Sequence, residues 1–208
     1  MILIGQYDSP FVRRVGIALT LYGMAFEHRP WSTFAEGDKI EPYNPLRRVP
    51  TLVLDDGEAL IETLAILDHL DEIVGPAAAL IADRGLQRRR ELGVCVLAGG
   101  LADKAVSLFY ERVLHDQTSS VWEARCRGQV GAALGALEAR AADLATPYWH
   151  GAGVGHADVA VTTALRFISE AHARHVDLRP YPRLLAHAAA CEATPAFGAI
   201  SQPFIPPP

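Results

Sequence analysis

Apolar residues along this chain follow two rhythms, a short one in the first third and a long helical one from Arg84 onward. Ile2, Leu3 and Ile4 form a brief apolar run that exits through Gly5-Gln6-Tyr7-Asp8, which predicts a buried strand. Ser9-Pro10 then opens a helix, because serine is a favoured N-cap and proline at the first helical position lacks only an N–H that would be orphaned there. Val12, Val15, Ile17, Ala18, Leu19, Leu21 and Tyr22 give that helix an apolar face, and Gly23 ends it. Phe26-Glu27-His28-Arg29 alternates and meets Pro30, so it predicts a second strand. A short helix is expected near residues 35–40. Residues 51–54 and 59–61 flank Asp55-Asp56-Gly57-Glu58, a strong antiparallel hairpin signal. Leu64, Ile66, Leu67, Leu70 and Ile73 recur at helical spacing until Gly75-Pro76, completing the order β-α-β-α-β-β-α.

Beyond this point the pattern predicts helices over residues 84–114, 120–144, 157–174 and 181–191. Residues 1–75 therefore read as an α/β unit, residues 84–208 as an all-helical one, and 76–83 as the linker. With 208 residues, 50% of them hydrophobic and 21% charged, the chain can bury one or two well-filled cores. The net charge is −5 and the basic residues are dispersed apart from Arg88-Arg89-Arg90, which a helix spreads around one turn, so no nucleic-acid footprint is expected. Asp8 and Arg13 follow the apolar start at once, which is not a secretory signal. Arg and Asp punctuate the Ala-rich segments, so no membrane span is expected. Cys95, Cys126 and Cys191 are odd in number and widely spaced, which argues against a disulfide framework and fits a reducing cytoplasm. The eight histidines show no metal-ligand spacing, and no metal is expected.

Three stretches carry candidate chemistry. Ser9-Pro10-Phe11-Val12 places a hydroxyl at a helix start, suited to hydrogen-bonding a ligand's thiolate or serving as a plain N-cap. No cysteine stands there, so dithiol exchange is excluded. Val49-Pro50 opens an apolar strand, where a proline is ordinarily a trans edge residue. Glu62-Thr63 sits at a strand-to-helix turn, where helix N–H groups receive a carboxylate or the pair simply caps.

In order and spacing these stretches resemble the N-terminal domain of glutathione transferases, specifically the serine-bearing, bacterial-like cytosolic members. Asn44-Pro45-Leu46-Arg47-Arg48-Val49-Pro50-Thr51-Leu52 is similar to that family's Asn-Pro-x-Gly-x-Val-Pro-x-Leu run, with Arg47 where glycine is common. Residues 151–161 resemble its helix-capping box, with Asp158 in a structural role and Gly155 in place of Ser or Thr. The resemblance implies an α/β thioredoxin-like N-terminal domain followed by an all-α helical C-terminal domain. It also implies glutathione as substrate or cofactor, with Ser9 as the catalytic hydroxyl. Phe11, Arg48, Val49, Pro50, Glu62 and Thr63 would bind the tripeptide. The Val49–Pro50 bond would be cis, with the Val49 backbone facing the cysteinyl part and Glu62 the α-amino group; Arg48 would reach the glycyl carboxylate or remain a surface arginine. Trp31, Phe109 and Tyr110 are candidates for the second-substrate pocket, although aromatic residues at helical spacing more often fill cores. The implied activity is conjugation of the glutathione thiolate to a small electrophile, in a homodimer. A glutathione-dependent isomerase or dehalogenase, or a non-catalytic glutathione-binding protein, are the alternatives.

Overall fold

Side chains along a strand alternate between the two faces of a sheet, and this rule organises the first third of the protein. The computed structural model describes residues 1–207. Strands β1 (Ile2–Ile4), β2 (Glu27–Arg29), β3 (Thr51–Val53) and β4 (Ala59–Ile61) form one sheet in the order β2-β1-β3-β4. β1 and β2 run parallel, joined by the crossover helix α1 (Pro10–Leu21), while β1–β3 and β3–β4 are antiparallel. Leu3 and Leu52 point to one face, where they meet Val12, Val15 and Leu19 of α1 and Ile66, Leu67 and Leu70 of α3 (Thr63–Val74). Ile4 and Val53 point to the other and pack on Ile40 of α2 (Gly37–Ile40). This mixed four-stranded sheet with its helices is the expected thioredoxin-like arrangement.

The rest is helical: α4 (Gly85–Val113), α5 (Ser120–Ala141), α6 (His156–Ala171), α7 (Pro182–Glu192) and α8 (Pro195–Ala199). Helices α5 and α6 end three residues short of the periodicity, since Ala142 and His172 already cap them. Helix α8, with Pro195 at its first position, was not anticipated because five residues give no period to read. Helix α4 contains an 18-residue window of mean hydropathy 1.6, long and apolar enough to cross a membrane. Its Val94, Ala98, Leu101 and Ala105 pack into the helical core with Leu134, Leu137, Ala160 and Ala164, which accounts for that composition.

Helix α6 runs through the centre. Asp158 is fully buried and accepts from the Gly155 and Trp149 amides, both at 2.8 Å. A Cβ at Gly155 would lie 2.5 Å from His150 Cβ and 2.8 Å from Leu80 O, so close packing excludes the hydroxyl residue usual in that box. The sheet unit and helices share a seam. Ile17 of α1 packs with Val159 and Phe197, and His156 Nε2 meets Asp71 at 2.9 Å. Tyr22 donates to Asp71 and accepts the Leu80 amide, while Leu80 O accepts from His156 N at 2.8 Å. Burial pushes the Asp71 carboxyl upward, but the bonds from His156 and Tyr22 outweigh it and hold it below its ordinary value.

Candidate glutathione site

The strand-to-helix turn after β1 sets the first element of the site. Gly5 has φ 124°, and a Cβ there would lie 2.5 Å from Val12 Cγ2 and 2.8 Å from Val49 Cβ, so only glycine lets α1 and the Val49 loop close on it. Ser9 follows as the N-cap of α1, with Oγ accepting the Val12 N–H at 3.4 Å. One lone pair is thereby engaged, and among the described residues the hydroxyl has no acceptor, so it can donate to a ligand. Tyr7 turns away from the site: its ring stacks on His28 at 3.8 Å, and burial pushes its phenol up to about 12.

Two cavities adjoin at Phe11, Arg48 and Val49. The larger, about 840 Å³, is lined by Ser9, Phe11, Trp31, Arg48, Val49, Phe109 and Tyr110. The smaller, about 340 Å³, is lined by Phe11, Arg48, Val49, Pro50, Glu62 and Thr63. Every candidate residue read from the sequence therefore lies on one or the other. Phe11, Arg48, Val49 and Asp103 border both, so the cavities form one trough with Ser9 at the larger end and the α3 N-terminus at the smaller.

Local backbone explains these placements. The Val49–Pro50 peptide is cis. Asn44 is buried and holds the turn before it through Nδ2 to Arg48 O at 2.9 Å and Thr51 Oγ1 at 3.1 Å. Arg47 occupies φ 49°, the left-handed region that accounts for glycine being common there, and its guanidinium is held by Glu41 and Asp38. Glu62 also has positive φ, 70°, immediately before α3, the kind of backbone strain that clusters at binding sites. Its exposed carboxylate pairs with Arg48 at 3.3 Å, a bridge worth at most about 1 kcal/mol that a ligand can replace.

Several lining residues escaped the sequence reading. Arg14 borders the smaller cavity, is only 4% exposed, and its Nε and Nη2 find no partner among the described residues. Burial lowers its pKa, although a guanidinium remains charged, so a cation there awaits an anion. Asp8, Phe34, Phe167 and Phe204 border the larger cavity. Cys95, which lines the smaller cavity, does not compete for thiolate chemistry, since burial pushes it up to about 11; Cys191, which lines neither cavity, is pushed up to about 12. Asp158, His187 and Cys191 do gather in space despite lacking a metal-like spacing. Their donors are already engaged: Asp158 caps α6, His187 Nδ1 meets Pro147 O at 2.7 Å, and Cys191 Sγ faces His187 Nε2 at 3.7 Å.

Comparison with known proteins shows the family. Residues 3–78 match the family model for the glutathione S-transferase N-terminal domain, and residues 120–190 that for its C-terminal domain. The chain belongs to the glutathione S-transferase family. It is 38% identical over 104 residues to maleylacetoacetate isomerase of Pseudomonas aeruginosa, a match covering 48% of this chain and 49% of that protein. The matched stretch thus spans about half the length of that curated relative. A Methylobacterium radiotolerans glutathione S-transferase solved with glutathione sulfonate superposes with TM-score 0.87 at 26% identity, covering 99% of this chain and 97% of that one. Maleyl pyruvate isomerase, a bacterial zeta-class glutathione S-transferase, superposes with TM-score 0.83 at 26% identity, covering 97% and 96%.

Proposed function

We infer that the trough holds glutathione and that the protein is an enzyme that uses its thiolate against a small electrophile. The observation that carries this reading is the Ser9 hydroxyl at a helix N-terminus, lining a cavity that continues to a buried cation, Arg14, with no partner for its Nε and Nη2 among the described residues. The fit extends along the peptide. Val49 would present its backbone to the cysteinyl part, and the α3 N-terminus with Thr63 and Arg14 would receive the glutamyl carboxylate, as helix N–H groups and guanidinium both favour anions. Glu62 would face the α-amino group and Arg48 the glycyl carboxylate. Phe11, Trp31, Phe109 and Tyr110 would form the apolar side of the second pocket.

Ser9 acts by stabilising the charged form of the sulfur. In conjugation the sulfur forms a new bond to an electrophilic carbon, and the leaving group departs with its electron pair. The names of two of the compared relatives favour a second reading, isomerisation, in which the adduct collapses and glutathione returns. Calorimetric titration with glutathione tests the site; net loss of glutathione during turnover indicates conjugation, and its full recovery the isomerase. The reading includes a pair of chains, since Leu46, Leu64 and Val96 are exposed around the smaller cavity. A sedimentation mass of a single chain at micromolar concentration would remove that part.

A further inference from the structure

Helices α1 and α3 bound the trough with their first turns and are joined again at a point remote from it. Strands β1 and β4 each run antiparallel to β3, so they point the same way, and each leads into a helix that returns across the same face of the sheet. Both helix N-termini are thereby set at one edge of the sheet, where Phe11 and Arg14 of α1 line the smaller cavity together with Thr63 and Leu64 of α3. A tripeptide reaching from Ser9 to the α3 N-terminus fits only at one offset of these helices along each other. Between the helices lies an apolar cluster, with Val12, Val15 and Leu19 on one side and Ile66, Leu67 and Leu70 on the other. Apolar burial is non-directional, whereas a hydrogen bond demands a distance and an angle.

Among the described residues, one side-chain hydrogen bond joins α1 and its cap to α3. Tyr22, the C-cap of α1, donates to Asp71 on the third turn of α3. The same hydroxyl accepts the Leu80 amide at 2.8 Å, and His156 Nε2 reaches both Asp71 oxygens, at 2.9 and 3.1 Å. His156 opens α6, and its own backbone N–H donates to Leu80 O at 2.8 Å. One carboxylate thus gathers α1, α3, α6 and the linker. Its side chain is 13% exposed and that of His156 4%, so these bonds are largely shielded from water, which strengthens them. Tyr22, Asp71 and His156 line neither cavity.

We propose that Asp71 is a positioning residue for the glutathione site: by tying the end of α1 to α3 and bracing both on α6, it fixes the span between Ser9 and the α3 N-terminus. This rests on the reading of the trough as the place of glutathione. Three variants of the full chain test it, each titrated calorimetrically with glutathione and then by thiolate absorbance of the complex against pH. Asp71→Ala removes the carboxylate, and Tyr22→Phe keeps the ring but loses the hydroxyl that bridges Asp71 and Leu80. Both should bind glutathione about tenfold more weakly and raise the bound thiol's pKa by about one unit, because a small misplacement at a reacting group is costly. His156→Gln, which retains an N–H donor, should stay near the parent in both measurements. A purely structural role would lower the denaturation midpoint and leave the bound thiol's pKa at the parent's value, and that result overturns the proposal. So does a folded Tyr22→Phe protein that binds and titrates glutathione like the parent, even where Asp71→Ala fails to fold. A parent protein that does not bind glutathione overturns the functional reading, and this assignment with it.

Discussion

Replacing Ser9 by alanine separates two contributions of one oxygen. The first is to the fold: Oγ accepts the Val12 N–H, and losing an N-cap of this kind costs about 1 kcal/mol. The second is to bound thiol chemistry. A thiol near pKa 8.5 must fall about two units to be largely ionised at neutral pH, which requires roughly 2.7 kcal/mol of preferential stabilisation. A hydrogen bond to a charged acceptor supplies about 1.5–3 kcal/mol and a helix N-terminus about 0.3–1, so Ser9 and α1 together suffice. Ser9→Ala should therefore raise the bound thiol's pKa by about one to two units and slow turnover up to roughly a hundredfold near neutral pH. Glutathione affinity should change little, because Glu62, Thr63 and Arg14 are untouched. The deficit should shrink as pH rises past the variant's thiol pKa, where both proteins carry thiolate. Thiolate absorbance of the glutathione complex against pH is the assay. A variant that titrates like the parent refutes the role of the hydroxyl and leaves the α1 amides as the activating groups.

Glu62→Gln should weaken glutathione about tenfold without moving the bound thiol's pKa, which calorimetry and the same titration measure separately. Arg14→Met should leave stability equal or raise it, because a buried cation with no partner for Nε and Nη2 among the described residues gives way to an apolar chain, yet should reduce glutathione affinity; chemical denaturation paired with calorimetry checks both. Asp71→Asn should destabilise the protein by about 1–3 kcal/mol at neutral pH. Because the folded carboxyl lies below its ordinary value of 3.8, Asp71's contribution is present above that value and lost as pH falls through the folded pKa. The parent and variant denaturation curves should thus converge in strong acid, and a pH-independent gap would show that titration of Asp71 does not underlie the loss.

Much of this site could be read in the sequence because its parts are local. Ser9-Pro10, Val49-Pro50 and Glu62-Thr63 each combine a turn with the start of a helix or strand, and those junctions announce themselves through capping and turn chemistry within a few residues. Arg14 could not be read so. In a helix already supplied with apolar residues, an arginine reads as the solvated face, and only the packing of the other helices on α1 buries it. Phe34, Phe167 and Phe204 come from three separate segments, and nothing in their spacing shows that they converge. The left-handed Arg47 shows the reverse case: the departure from glycine was visible, while the carboxylates that hold its side chain appeared only in three dimensions.

The bond between Asp8 and Ile205 joins residues 197 positions apart, and that between Arg13 and Ile200 spans 187. During synthesis the turn bearing Ser9 waits for a further 197 positions after Asp8 before Ile205 can meet it. At translation speeds of about 5–20 residues per second, that interval is roughly ten to forty seconds. Until they emerge, Ile17 lacks the Val159 and Phe197 side chains on which it packs in the finished protein. A nascent chain in this window is thus a more natural client for a holdase than the completed fold, and any stall upstream of residue 200 leaves a sheet unit without a working trough.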